Sequence, residues 1–276
     1  PIKQSTSLLP AKNLAQGNVL LAEDNLVNQE VAKAMLTKLG FKVDIANDGQ
    51  QALDFIKKQY YDIVLMDCQM PTMDGFEATI QIRKQYGHTI PIIALTANAT
   101  EDDRNHCIEA GMDDFLSKPY TLNQLNQTLT KWQTNIESNP TATISESHAS
   151  KENTETKKMP LLNPVLLDQI RSLDASNGHE LVNKILCAFL ESADKYIQSL
   201  DQAFNDKDIE TIRKTAHTLK SSSANIGAEE LSTIFKQIEA YSKDGELALA
   251  ESLHSTMLTI YHEVISEVKA IINQSQ

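Results

Sequence analysis

Between residues 18 and 133 the sequence repeats one unit, a short apolar run followed by a segment with apolar residues at helical spacing. The runs lie near 18–23, 41–46, 62–67, 91–96 and 113–118. Helical patterns lie near 27–39, 49–58, 75–86 and 100–110, and a last one at 121–132. Strands that are apolar throughout must be covered on both faces, and short connections through helices leave only parallel pairing. An α/β doubly wound, five-stranded parallel sheet is therefore expected for 18–133. Asn47-Asp48 and Thr100 are expected to cap the second and fourth helices, and Gly40 and Gly111 to stop the first and fourth.

Parallel strands all end on one edge, which is where such sheets bind ligands. Four strands end here in polar residues: Glu23-Asp24, Asp67, Thr96 and Lys118. One pocket should then hold three carboxylates, a hydroxyl and an ammonium. Two like charges about 4 Å apart repel by about 4 kcal/mol at an effective dielectric near 20. Three together call for a cation, and hard carboxylate oxygens suit magnesium. With the metal bound, one carboxylate can accept a phosphoryl group as an acyl phosphate, with Lys118 and Thr96 holding its oxygens.

Composition narrows the rest. A net charge of −12 argues against a nucleic-acid-binding module. No apolar run reaches the roughly 18 residues of a membrane span, so no direct membrane contact is expected from this segment. The three cysteines, Cys68, Cys107 and Cys187, form no CxxC pair and suit reduced thiols in a cytoplasmic setting. The chain begins at Pro1 with a polar, patternless stretch, read as a flexible linker over 1–17 in a piece of a longer protein.

Residues 134–160 are rich in Ser, Thr, Asn, Glu and Lys and too poor in apolar residues to offset the entropy of ordering. They are read as a second flexible linker. Residues 161–274 show helical periodicity only, with a short helix near 163–174 and longer ones near 177–204, 208–226, 228–243 and 246–273. Short connections around Lys207, Gly227 and Gly245 predict an all-α, up-down four-helix bundle.

The segments Leu21-Ala22-Glu23-Asp24-Asn25, Asp67 through Gly75, Leu95-Thr96-Ala97 and Leu116-Ser117-Lys118-Pro119 resemble the response-regulator receiver domain, over about 17–133. The resemblance implies that Asp67 is the phosphoacceptor. It also implies that Asp24, Asp67 and the Gln69 carbonyl hold magnesium, with Glu23 assisting through water. Phe115 matches the switch aromatic of that family, which turns inward when Thr96 closes on the phosphoryl group; many members have Tyr there.

In the third bundle helix, Ile209, Ile212, Ala216, Leu219 and Ser223 form a narrow core stripe with His217 on its flank. Arg213, Lys214, Lys220 and Ser221 lie within one turn of it, and three positive charges there favour a neutral, nucleophilic ring beside a dianionic phosphoryl group. The run Ala216-His217-Thr218-Leu219-Lys220-Ser221 through Gly227 resembles the histidine phosphotransfer (HPt) domain, over roughly 161–274. That resemblance makes His217 the phosphorylated histidine and Lys220 its support. Ser221 stands where the family usually has Gly. If the next helix folds back at Gly227, a residue near 237 faces the ring, and Gln237 is the candidate to hold its second nitrogen.

A receiver followed by an HPt domain resembles the C-terminal part of a hybrid sensor histidine kinase. The implied relay runs from an upstream kinase histidine to Asp67, then to His217, then to a downstream response regulator receiver domain. The parent implied by this resemblance is a membrane-anchored sensor with this part in the cytoplasm. A linker of about 25 residues spans roughly 25–30 Å, so the two domains should meet within one molecule at about millimolar effective concentration. The rival reading is a response regulator whose helical domain is an output or dimerisation module with no phosphotransfer at His217.

Overall fold

The computed structural model describes residues 17–97, 101–134, 160–174 and 176–274. Five parallel strands, β1 (Asn18–Ala22), β2 (Lys42–Ala46), β3 (Ile63–Asp67), β4 (Ile92–Thr96) and β5 (Asp114–Ser117), form one sheet in the order β2-β1-β3-β4-β5. Between them run α1 (Leu26–Lys38), α2 (Gly49–Lys58), α3 (Gly75–Tyr86) and α4 (Glu101–Ala110), with α5 (Leu122–Thr134) after the last strand.

The two-residue period of the central strands sorts their side chains between two cores. Leu20, Val64, Met66, Ile92 and Ala94 pack with Leu53, Ile56, Ala78 and Ile82 on one face. Val19, Leu21, Ile63, Leu65, Ile93 and Leu95 pack with Leu36, Leu125 and Leu129 on the other. Each fully buried side chain of this size contributes about 1.5–3 kcal/mol. Because both faces are covered, polar residues are excluded along the strands and admitted only where they end.

Local signals place those ends. Asn25 Oδ1 accepts from the amides of Val27 and Asn28 and starts α1, and Asp48 and Asp74 do the same for α2 and α3. Gly40 and Gly111 follow α1 and α4 at φ of 91° and 93°, where a side chain would be strained. The cap expected at Thr100 lies outside the described residues, as do residues 1–16 and 135–159 of the two expected linkers. Gly17 already belongs to the sheet, since its carbonyl accepts from the Lys42 amide at 2.9 Å.

The second half is all helical: α6 (Pro164–Leu173), α7 (Gly178–Asp206), α8 (Ile209–Asn225), α9 (Glu229–Lys243), α10 (Leu247–Ser252) and α11 (His254–Gln274). Ile185, Phe189, Ala193, Leu200, Ile212, Ala216, Leu219, Phe235, Ile238, Met257, Val264 and Val268 meet in one core. The turns fall at Lys207, Gly227 and Gly245, all with positive φ. The last helix expected from the sequence, 246–273, is two helices. Leu253 ends α10, and His254 starts α11 with its ring 4.9 Å from that of Phe204 and 2.6 Å from Asp201.

The two halves are docked. Val27 and Val31 of α1 are buried in the core of the bundle rather than in that of the sheet. They explain why α1 carries more apolar surface than one face of a sheet requires.

Candidate functional site

Asp67 ends β3, Thr96 ends β4, Glu23 and Asp24 follow β1, and Lys118 follows β5. Parallel register brings them together as expected. Lys118 Nζ donates to Glu23 Oε2 at 2.5 Å and to Asp67 Oδ2 at 2.6 Å, with all three side chains buried. One oxygen each from Glu23, Asp24 and Asp67 lie within 4.8 Å of one another. The Lys118 amide donates to the Thr96 carbonyl at 2.6 Å, which holds β4 and β5 together behind the pocket, and the Thr96 side chain is buried there.

Three carboxylates around one ammonium leave an excess of negative charge. Burial and the neighbouring Asp67 push Glu23 up to about 8, against the opposing pull of Lys118. Burial and Asp67 likewise raise Asp24 to about 6. Burial alone would lower Lys118, but Asp67 and Glu23 outweigh it and hold the ammonium charged far above its ordinary range. Gln69 donates its amide to Asp67 Oδ1 at 3.2 Å, and its side-chain Oε1 is buried with no hydrogen-bond partner among the described residues. Hard oxygens, surplus negative charge and an unpartnered acceptor together fit a small divalent cation. Phe115, on β5, is partly buried beneath the Arg104 guanidinium, 5.5 Å from the ring centroid.

Backbone packing fixes the loop that carries Asp67. The Gly75 amide donates to the Cys68 carbonyl, and a Cβ at Gly75 would fall 2.0 Å from the Asp67 carbonyl oxygen. Only glycine lets α3 start this close to β3.

On the bundle, His217 is on α8 and 7% exposed. Its neighbours are polar. Nδ1 lies 2.7 Å from Glu239 Oε1 of α9, and Lys220 Nζ donates to Glu239 Oε2. A carboxylate can only accept, so a proton sits on Nδ1, and Nε2 is the ring nitrogen left outside this hydrogen bond. Burial would raise Glu239, but His217 and Lys220 hold it down at about 2.

Glu239, and not Gln237, faces the ring, because α9 enters its antiparallel path two residues later than a tight turn at Gly227 implies. Gln237 is exposed. The cations around His217 are themselves paired: Arg213 and Lys214 bind Glu210, at 2.8 and 3.4 Å, and Lys220 binds Glu239. A signal for Glu239 was present, since it falls within the apolar stripe Leu231, Phe235, Ile238 and Ser242, where an acid demands a partner.

The domain contact brings the two centres close. Asn25, next to Asp24, donates to the Thr218 carbonyl at 3.4 Å. Asn28 donates to Glu23 Oε1 at 2.8 Å and to Ser221 Oγ at 3.4 Å, and accepts from Asn225 at 2.8 Å. Lys184 pairs with Glu30 at 2.8 Å, and Lys38 donates to the Ser172 carbonyl. Tyr196 of α7 is pushed up to about 12 by burial and by the negative charges of Asp24 and Glu23. One turn of α8 thus carries the histidine and the groups that hold the edge of the carboxylate pocket.

Comparison with known proteins matches the same division. Residues 19–130 match the response regulator receiver domain and residues 184–274 the Hpt domain. The chain is 33% identical over 226 residues to the aerobic respiration control sensor protein ArcB of Escherichia coli, covering 81% of this chain and 28% of that protein. It is 50% identical over 110 residues to hybrid signal transduction histidine kinase I of Dictyostelium discoideum, covering 37% of this chain and 6% of that one. The receiver domain of a Pseudomonas aeruginosa sensor histidine kinase, solved with magnesium in its active site cleft, is 49% identical. It covers 43% of this chain and 98% of its own, at a TM-score of 0.41. The chain spans less than a third of the length of these curated relatives. With a receiver domain followed by an Hpt domain, it belongs to the two-component phosphorelay proteins.

Proposed function

We propose that Asp67 accepts a phosphoryl group from the histidine of an upstream kinase core and passes it to His217 of the same chain. His217 then hands it to the receiver domain of a downstream response regulator. The observation that carries this reading is the docked arrangement: α1, whose N-terminus borders the carboxylate pocket, is hydrogen-bonded to α8 one residue and one turn beyond His217.

In the first step an Asp67 oxygen attacks phosphorus, the donor N–P bond breaks, and the donor imidazole leaves. Lys118 already touches Asp67 and stays to pair with a phosphoryl oxygen, while the Thr96 hydroxyl binds another. Magnesium held by Asp24, Asp67 and the Gln69 carbonyl, with Glu23 through water, would supply the remaining charge neutralisation. In the second step His217 Nε2 attacks phosphorus, the Asp67 O–P bond breaks, and the carboxylate is restored. Glu239 keeps the Nδ1 proton in place, and Lys220 adds positive charge beside the new phosphoramidate. Phe115 acts as the switch aromatic that follows Thr96. For the last step the attached receiver must leave α8 so that the next one can occupy the same face.

The parent protein is read as a membrane-anchored sensor histidine kinase with this segment in the cytoplasm; among the described residues no helix is long and apolar enough to cross a membrane. The Hpt match argues against a helical domain that serves only as an output or dimerisation module.

The test loads Asp67 with acetyl phosphate and follows the label. Asp67→Ala should accept none, and His217→Gln should hold it on Asp67. Transfer in the parent chain should keep one rate over a hundredfold dilution, since tethering makes the encounter unimolecular. A rate proportional to protein concentration would defeat the intramolecular step.

A further inference from the structure

Two thiols that the relay does not use are in contact. Cys68 follows Asp67 directly, Cys107 lies on α4, and their sulfurs are 4.0 Å apart at 6% and 3% exposure. The third, Cys187, is exposed on α7. A disulfide needs about 2.05 Å between sulfurs, so closure requires the two to approach by roughly 2 Å.

We propose that Cys68 and Cys107 are an oxidisable pair that closes to an intramolecular disulfide on exposure to peroxide and fastens α4 to the loop of the phosphoacceptor. One sulfur, as thiolate, attacks a peroxide oxygen. The O–O bond breaks, and a sulfenic acid and water result. The second sulfur attacks the first and displaces its hydroxyl as water. In sum, two thiols and one hydrogen peroxide give one disulfide and two waters, and an added thiol reverses it. Local opening of α4 admits the oxidant.

The consequence follows from what each sulfur is attached to. The Cys68 backbone is pinned on both sides, its amide donating to the Leu95 carbonyl and its carbonyl accepting from Gly75, both at 3.2 Å. The strand side is therefore fixed, and α4 must come to it. Arg104, three residues before Cys107 on α4, covers the Phe115 ring. A bond at Cys107 ties this turn to the strand and so restrains Phe115 beneath Arg104. This functional part rests on the reading above, in which Thr96 and Phe115 move when Asp67 is loaded; the disulfide itself does not.

The test treats the full 276-residue chain with hydrogen peroxide, removes the excess with catalase, and alkylates remaining thiols in denaturant before mass spectrometry. The expected product has lost two hydrogens, carries one alkyl group on Cys187, and yields a cross-linked peptide of Cys68 with Cys107. Cys107→Ser and Cys68→Ser should each abolish the link. Cys68 and Cys107 both alkylated after peroxide treatment, or a link through Cys187, would overturn the pair. In the same samples, acetyl phosphate labelling of Asp67 should fall about fivefold or more on oxidation and return with dithiothreitol. A disulfide that leaves labelling unchanged overturns the restraint on α4. Absence of labelling even in the reduced chain counts against the relay reading and leaves the disulfide intact.

Discussion

Replacing Glu239 by Gln separates the placing of the His217 imidazole from the rest of the relay. The carboxylate accepts from Nδ1 at 2.7 Å and from Lys220 on its other oxygen, and all three groups are buried. Gln keeps the shape but removes the charge, and its amide can present a donor to Nδ1 and so favour the wrong tautomer. A hydrogen bond to a charged group contributes about 1.5–3 kcal/mol. At tenfold per 1.4 kcal/mol, transfer from Asp67 to His217 should slow roughly 10- to 100-fold. Loading of Asp67 should be unchanged, because Glu239 is no part of that pocket. Stability should fall as well. The drop of the Glu239 carboxyl from 4.5 to about 2 corresponds to about 3 kcal/mol in favour of the ionised native form. A carboxyl depressed by folding stabilises above its unfolded value, and that contribution is lost as pH falls through the native one. The difference between parent and Glu239→Gln should therefore be complete at pH 7 and shrink between pH 4.5 and 2. The assay separates alkali-labile acyl phosphate from alkali-stable phosphohistidine over time, with urea melts at several pH values alongside. Transfer within twofold of the parent, at unchanged stability, would refute the assigned role.

The carboxylate pocket has the opposite sign: Glu23 and Asp24 are raised to about 8 and about 6, so without metal the native state loses stability as pH climbs from 5 to 8. Magnesium should raise the melting temperature more at pH 8 than at pH 5 by differential scanning fluorimetry, and an equal gain at both would count against a proton–metal competition. Asn28→Ala removes the hydrogen bonds to Glu23, Ser221 and Asn225, each worth about 1 kcal/mol. It should slow intramolecular transfer several-fold and lengthen the particle in small-angle scattering. Lys184→Ala, which breaks the more exposed pair with Glu30, should change the rate less than twofold. Gly75→Ala puts a methyl group on the Asp67 carbonyl oxygen, and its urea midpoint should show a loss of up to about 3 kcal/mol; a neutral outcome would mean that α3 is free to move.

The boundary between what could be read directly and what could not follows the range of the interactions. The carboxylate pocket was legible because two local facts suffice: apolar runs covered on both faces must pair in parallel, and a polar residue is admitted only at their ends. Asp67, Glu23, Asp24, Thr96 and Lys118 meet for that reason, whatever the details of packing. His217 was expected on the flank of a narrow core stripe by a local period, whereas the fold buries it together with Lys220 and Ser221. The partner of its ring was not, because facing residues depend on where α9 leaves the turn, and a shift of two residues exchanges exposed Gln237 for buried Glu239. The split of the last helix at Leu253 is likewise set by packing, where His254 closes on Phe204 and Asp201.

By itself the amino-acid order determined the elements apart from the break at Leu253, the parallel sheet, the helical bundle and the residues that converge at the strand ends, since each follows from periodicity within one segment. Only the tertiary structure decided that Val27 and Val31 leave the sheet for the bundle, that Asn28 joins the carboxylate pocket to α8, and that Cys68 and Cys107 touch. The contacts of Asn28 with α8 and of Cys68 with Cys107 link residues from about 40 to nearly 200 positions apart, where no local period reaches and only the burial of shared surface selects the pairing.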